Sequence, residues 1–99
     1  MRGARVDANQ VLIVQALRTI GASVQHLHAV GQGCPDLLVG YGGQNYALEI
    51  KDGAKPPSAR ALTPQQAKWH DKWRGHVAVV CTLKEAFEAI GVQFRGQVS

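Results

Sequence analysis

The chain has 99 residues, with eleven Lys and Arg against seven Asp and Glu, for a net charge of +4. That length fits one small domain with a thin core. A composition 45% apolar and 18% charged is that of an ordinary globular protein, not a disordered or fibrous one, and with no run of about 18 apolar residues a helical membrane span is excluded. The basic balance tilts the partner modestly toward a polyanion such as nucleic acid. No apolar signal region with a cleavage site follows the first five residues, and two cysteines are few for a secreted scaffold. Cys34 and Cys81 therefore read as small buried thiols, and the chain as cytoplasmic and reduced.

Residues 7–20 form the first predicted helix. Asp7 can cap it, and Gln10, three residues on, can complete a capping box. Val11, Ile13, Val14, Leu17 and Ile20 give it a broad apolar face, and Gly21 ends it. Residues 22–30 read as a strand, with Val24 and Leu27 apolar and His26 and His28 on one side, before a flexible Gly31-Gln32-Gly33 turn. Residues 37–40 are the second strand and residues 46–51 the third. The two are antiparallel across the hairpin turn Tyr41-Gly42-Gly43-Gln44, where glycine supplies positive φ. Residues 52–61, polar and carrying Pro56-Pro57, read as a loop.

Thr63 caps a second long helix that runs to about residue 74. Pro64 stands at its first position, Gln66 three residues after the cap, and Gly75 at its stop. Residues 76–81 hold a buried strand. Thr82, with Glu85 three residues later, opens a third helix closed by Gly91, and residues 92–94 are expected to add an edge strand. No repeat or internal boundary interrupts this order. It predicts one domain over residues 1–99: an α/β fold, a small mixed sheet flanked by helices in the order α-β-β-β-α-β-α.

The chemistry concentrates in two of these strands. Asp36 opens the apolar run that follows Pro35, and Glu49 and Lys51 close the run that starts at Asn45. A carboxylate is costly to desolvate without a partner, yet here two fall at the edges of neighbouring buried strands. The antiparallel hairpin brings Asp36 and Glu49 to one end of the sheet, and a two-residue spacing puts Glu49 and Lys51 on one face. Two carboxylates with the Ile50 carbonyl make an oxygen-rich site of the kind Mg²⁺ prefers. The expected roles are metal binding by Asp36, Glu49 and Ile50. Lys51 orients an attacking water or neutralises charge on a phosphoryl transition state. That chemistry is a nuclease's.

Pro35-Asp36 followed by Glu49-Ile50-Lys51 resembles the signature of the PD-(D/E)XK nuclease superfamily. The wider pattern is Gly33-Cys34-Pro35-Asp36-Leu37-Leu38-Val39, Leu48-Glu49-Ile50-Lys51-Asp52-Gly53, Leu62-Thr63-Pro64-Gln65-Gln66 and Trp69. With it the chain resembles the VRR-NUC family, whose small phage and bacterial members are stand-alone domains of about this size. The resemblance covers nearly the whole chain. It implies a homodimeric, Mg²⁺- or Mn²⁺-dependent endonuclease of the Holliday junction resolvase kind, acting on branched DNA such as four-way junctions, with no organic cofactor and no membrane partner. It also implies that Gln66 lies beside the metal and contacts substrate or the catalytic water. Many superfamily members add a Glu from the first helix; this chain offers Asp7, Asn9 and Gln10 there, and no Glu.

Each residue also has a plainer reading. Asp36 after Pro35 can be a turn residue, Glu49 and Lys51 an exposed ion pair of little energetic weight, and Gln66 a capping residue and nothing more. Lys55, Arg60, Lys68 and Lys72, with Arg74, are either a solvated face or a DNA-binding rim that grips phosphates beside the site. The loop 52–61 is then the substrate clamp. His26, His28, His70 and His76 match no zinc spacing. Trp69 and Trp73, four apart, are expected in the core or at a dimer contact rather than as base-stacking platforms. The rival to a nuclease is a nuclease-like module that holds DNA or a protein without cutting.

Overall fold

The computed structural model describes residues 8–94. Asp7, with its expected cap and first-helix roles, lies outside them. In chain order the elements are α1 (Ala8–Thr19), β1 (Ser23–His26), β2 (Leu37–Tyr41), β3 (Gln44–Ile50), α2 (Pro57–Arg60), α3 (Pro64–Lys72), β4 (His76–Val80) and α4 (Leu83–Ala89). The four strands form one sheet in the order β1-β2-β3-β4. β1, β2 and β3 are successively antiparallel, and β4 lies parallel to β3. The fold is the mixed α/β sheet that the element order predicts.

Local chemistry explains most of the boundaries. The β2–β3 turn has Gly42 at φ 59° and Gly43 at φ 80°, a two-residue connection whose twist matches that of the strands. A parallel β3–β4 pair needs a crossover, and the connection through α2 and α3 supplies it. Along β2, Leu37 and Val39 are fully buried while Leu38 between them is exposed, the period of two expected of a strand with one covered face. The core joins Ile13, Val14 and Leu17 of α1 to Leu37, Val39, Leu48, Ile50 and Val80 of the sheet and to Ala86 and Ile90 at α4. Among the described residues no helix is long and apolar enough to cross a membrane.

Five local expectations are corrected. β1 stops at His26, because Leu27 and Val30 close a turn (Val30 N to Leu27 O, 2.9 Å) that leads into left-handed backbone at Gly31, Gln32 and Gly33. The 52–61 loop contains the one-turn helix α2, begun by Pro57 at its first position, where a missing N–H costs nothing. Residues 92–94 add no strand. Val92 N bonds back to Phe87 O, and Phe94 packs its ring edge-on against Phe87 at 5.5 Å. Finally, α3 buries no residue, and Trp73 at its C-cap is 47% exposed, so the tryptophans are not core. Cys34 and Cys81 are free thiols but half-buried.

Candidate active site

The site grows from strand alternation. Leu48 and Ile50 turn into the core, so Glu49 between them points to the opposite face, where it is only 3% exposed. The β2–β3 register pairs Leu37 with Leu48; one step further along the same register, Asp36 stands against Glu49. Asp36 is fixed there by its Oδ2, which accepts a hydrogen bond from Ile50 N at 2.8 Å. Two carboxylates thus share one end of the β2–β3 hairpin.

Lys51 and Gln66 complete the cluster. Lys51 Nζ lies 3.7 Å from Glu49 Oε2 and donates to Gln66 Oε1 at 3.0 Å. Gln66 Nε2 donates to Glu49 Oε2 at 3.2 Å. The same Gln66 Oε1 accepts from Thr63 N at 2.9 Å, while Thr63 Oγ1 accepts from Gln66 N at 3.2 Å, a reciprocal capping box at the start of α3. One side chain therefore ends a helix and bridges the two charged groups of the site. The helix cap and the contacts to Glu49 and Lys51 coincide in Gln66.

The electrostatics are unbalanced without a cation. Glu49 is pushed up to about 7, first by burial and then by the neighbouring Asp36 carboxylate, with Lys51 opposing. Its Oε2 is occupied by Gln66 and Lys51, but Oε1 is buried and has no hydrogen-bond partner. A buried carboxylate oxygen without a hydrogen-bond partner, on a side chain beside a second carboxylate, is the environment that a hard divalent cation relieves. Asp36 and Glu49 therefore have the chemistry to hold such an ion. No cluster of three or more His, Cys, Asp or Glu gathers among the described residues, so water would fill the remaining coordination positions.

The first helix reaches the site differently. Asn9 Nδ2 donates to Lys51 O at 2.9 Å and to Cys81 O at 3.1 Å, tying together the chain as it leaves β3 and β4. Gln10 is buried, with Nε2 3.3 Å from His26 Nδ1. Two neighbours escaped sequence reasoning. His70, one turn after Gln66, has a buried Nε2 without a partner and is held below the ordinary histidine range by burial and by the charge of Lys51. The Cys34 thiol is pushed up by burial and by Glu49 and Asp36, so it stays protonated beside them. The i,i+4 spacing from Gln66 could have found His70, and the position of Cys34 two residues before Asp36 could have found the thiol.

The expected basic rim lies on the connection that carries Gln66. Lys55, Lys68 and Lys72 are exposed, and Arg60 is half-buried with an unpartnered Nε. Close packing holds this connection to the Asp36 segment. Gly33 has φ 84°, and a Cβ there would overlap the backbone carbonyl of Gln65.

No protein-family model matches the chain, and no curated protein matches it. A solved structure described as a VRR_NUC domain is similar to it, with 28% sequence identity over 82% of this chain and 88% of that one, and a TM-score of 0.62.

Proposed function

We propose that the chain, similar to a VRR_NUC domain, is a metal-dependent endonuclease hydrolysing DNA phosphodiester bonds, selective for branched DNA such as four-way junctions. The observation that carries the reading is the orphaned Glu49 Oε1 opposite Asp36, with an ammonium and an amide on the other oxygen. Asp36, Glu49 and the Ile50 carbonyl would hold Mg²⁺ or Mn²⁺, which supplies Lewis-acid polarisation and charge neutralisation at the phosphoryl group.

The chain's own residues do the rest. Lys51 is held between Glu49 and Gln66; its remaining proton can point at the attacking water or at a phosphoryl oxygen as charge develops there. Gln66 fixes the orientation of the Glu49 carboxylate, and the capping box in turn fixes Gln66, so no side chain must reorganise during the reaction. Lys55, Arg60, Lys68 and Lys72 bind backbone phosphates, which positions DNA without reading its sequence. Selectivity then comes from shape. A two-fold homodimer of this one domain would present two such sites to two strands, and sedimentation at micromolar concentration should show a dimer.

The decisive assay incubates a labelled four-way junction and a matched linear duplex with Mg²⁺, Mn²⁺ or chelator. Metal-dependent cutting of the junction, lost in Glu49→Ala and Lys51→Ala, is the expected result. If junction and duplex are cut equally, the branched-DNA assignment fails. A second reading, a module that binds without cutting, is favoured by the engagement of Asn9 with two backbone carbonyls and, among the described residues, the lack of a third clustered carboxylate. Its signature would be DNA binding unchanged by Glu49→Ala, with no cleavage in any metal.

A further inference from the structure

The outer face of α3 carries a feature that the metal site does not use. Gln65, Lys68, Trp69, Lys72 and Trp73 recur at the spacing of one helical face, and with Gln32 of the 31–33 turn they line an open cleft of about 450 Å³. The two indoles stack on each other at 4.5 Å with an 18° tilt. Their helix buries no residue, and Trp73 is 47% exposed. Large aromatic surface left in water marks a binding face more often than a structural one. The lining includes two lysines and no acid.

We propose that this cleft is a stacking platform for unpaired nucleotides of the substrate strand. The inference rests on the nuclease reading and narrows its substrate: among branched DNAs it favours those with an unpaired segment beside the cleavage point, such as a flap or a gap, over a fully paired four-way junction. Three observations support that occupant. Lysines alternating with tryptophans supply phosphate contacts next to ring faces, the pairing that single-strand binders use. The platform also adjoins the site. Gln66 and His70 form the neighbouring stripe of the same helix, about 100° round a cylinder roughly 10 Å across, and Gln32 belongs to the turn that leads into Asp36. Moreover, base faces are open to an indole only where pairing is broken. A second copy of the chain fits less well, because a two-fold contact through this face would bring Lys68 and Lys72 toward their own copies.

The chain has two tryptophans, and both sit here, so tryptophan emission, excited apart from the tyrosines, reports on this cleft alone. In chelator, where nothing is cut, an oligothymidylate of about 12 nucleotides, a length within single-strand site sizes, should quench that fluorescence, and a blunt duplex should not. Trp69→Leu and Trp73→Leu, checked for folding by circular dichroism, should each weaken oligothymidylate binding, read by anisotropy, about tenfold. Trp73→Phe should recover part of the loss. Lys68→Ala should lower the salt slope by about 0.7 while leaving the quench. The proposal is overturned if the oligonucleotide binds without quenching, if the Leu variants bind it as well as the parent does, or if they lose duplex binding to the same degree. A quench that follows protein concentration alone, together with dimerisation, would assign the face to a second copy instead. Because these titrations need no cleavage, their failure is distinct from that of the nuclease reading, which the metal-dependent assay tests.

Discussion

Glu49 carries the strongest pH dependence in the described chain. Its carboxyl holds a proton up to about 7 in the fold, against an ordinary value of 4.5. The folded state binds the extra proton, so the stability from this group is fully present below pH 4.5 and is lost as pH rises through 7. In chelator the melting temperature should therefore fall between about pH 5 and about pH 8. Glu49→Gln should flatten the fall. Adding Mg²⁺ should raise the melting temperature more at the higher pH, and Glu49→Gln should abolish that gain. A metal-induced shift independent of pH would remove Glu49 from the ligand set. Gln66→Ala should cut cleavage sharply, because it strips a donor from Glu49 Oε2 and an acceptor from Lys51 at once.

At the scale of elements, the start of α3 and the turn before β2 are built against each other. Thr63→Ala removes the cap oxygen for Gln66 N and should cost about 1 kcal/mol in urea unfolding. It leaves the Gln66 contacts to Lys51 and Glu49 available, so its loss of cleavage should be smaller than that of Gln66→Ala. Gly33→Ala combines a left-handed φ with an overlap on the Gln65 carbonyl. It should cost about 1–3 kcal/mol and reduce cleavage by displacing α3 from Asp36. Gly31→Ala, also left-handed but with open space around the added Cβ, should cost only about 1 kcal/mol and leave cleavage near the parent level. Equal effects from the two glycines would mean that contact between the turn and α3 does not position the site.

Across the whole molecule, stability is unevenly distributed. β3 is central in the sheet, with Ala47 to Ile50 all buried, whereas α3 buries nothing. Amides of β2 and β3 should exchange near the global unfolding free energy, and those of α3 orders of magnitude faster. Hydrogen exchange followed by mass spectrometry reads this directly, and bound DNA should protect α3 more than the sheet. The helix that brings Gln66 to the site is thus less deeply anchored than the sheet it faces.

Much of this was legible in the residues. Alternation in 37–40 and 46–51, the Gly42-Gly43 turn and the Thr63-Pro64 start are local patterns with local causes, so the hairpin, the order of the strands and long helices and the meeting of Asp36 with Glu49 follow from the sequence by itself. The position of Gln66 was expected only through a family resemblance, because nothing local requires a capping glutamine to touch a strand 17 residues earlier. Other features were decided by tertiary structure alone. Asn9 bonds to carbonyls 42 and 72 residues away, a pairing set by how α1 lies across the ends of β3 and β4. Trp69 and Trp73 have the spacing of a core stripe, and only the exposed placement of α3 turned that stripe outward. Periodicity records that a face is apolar; what covers the face depends on where the chain crosses, and that is a property of the assembled fold.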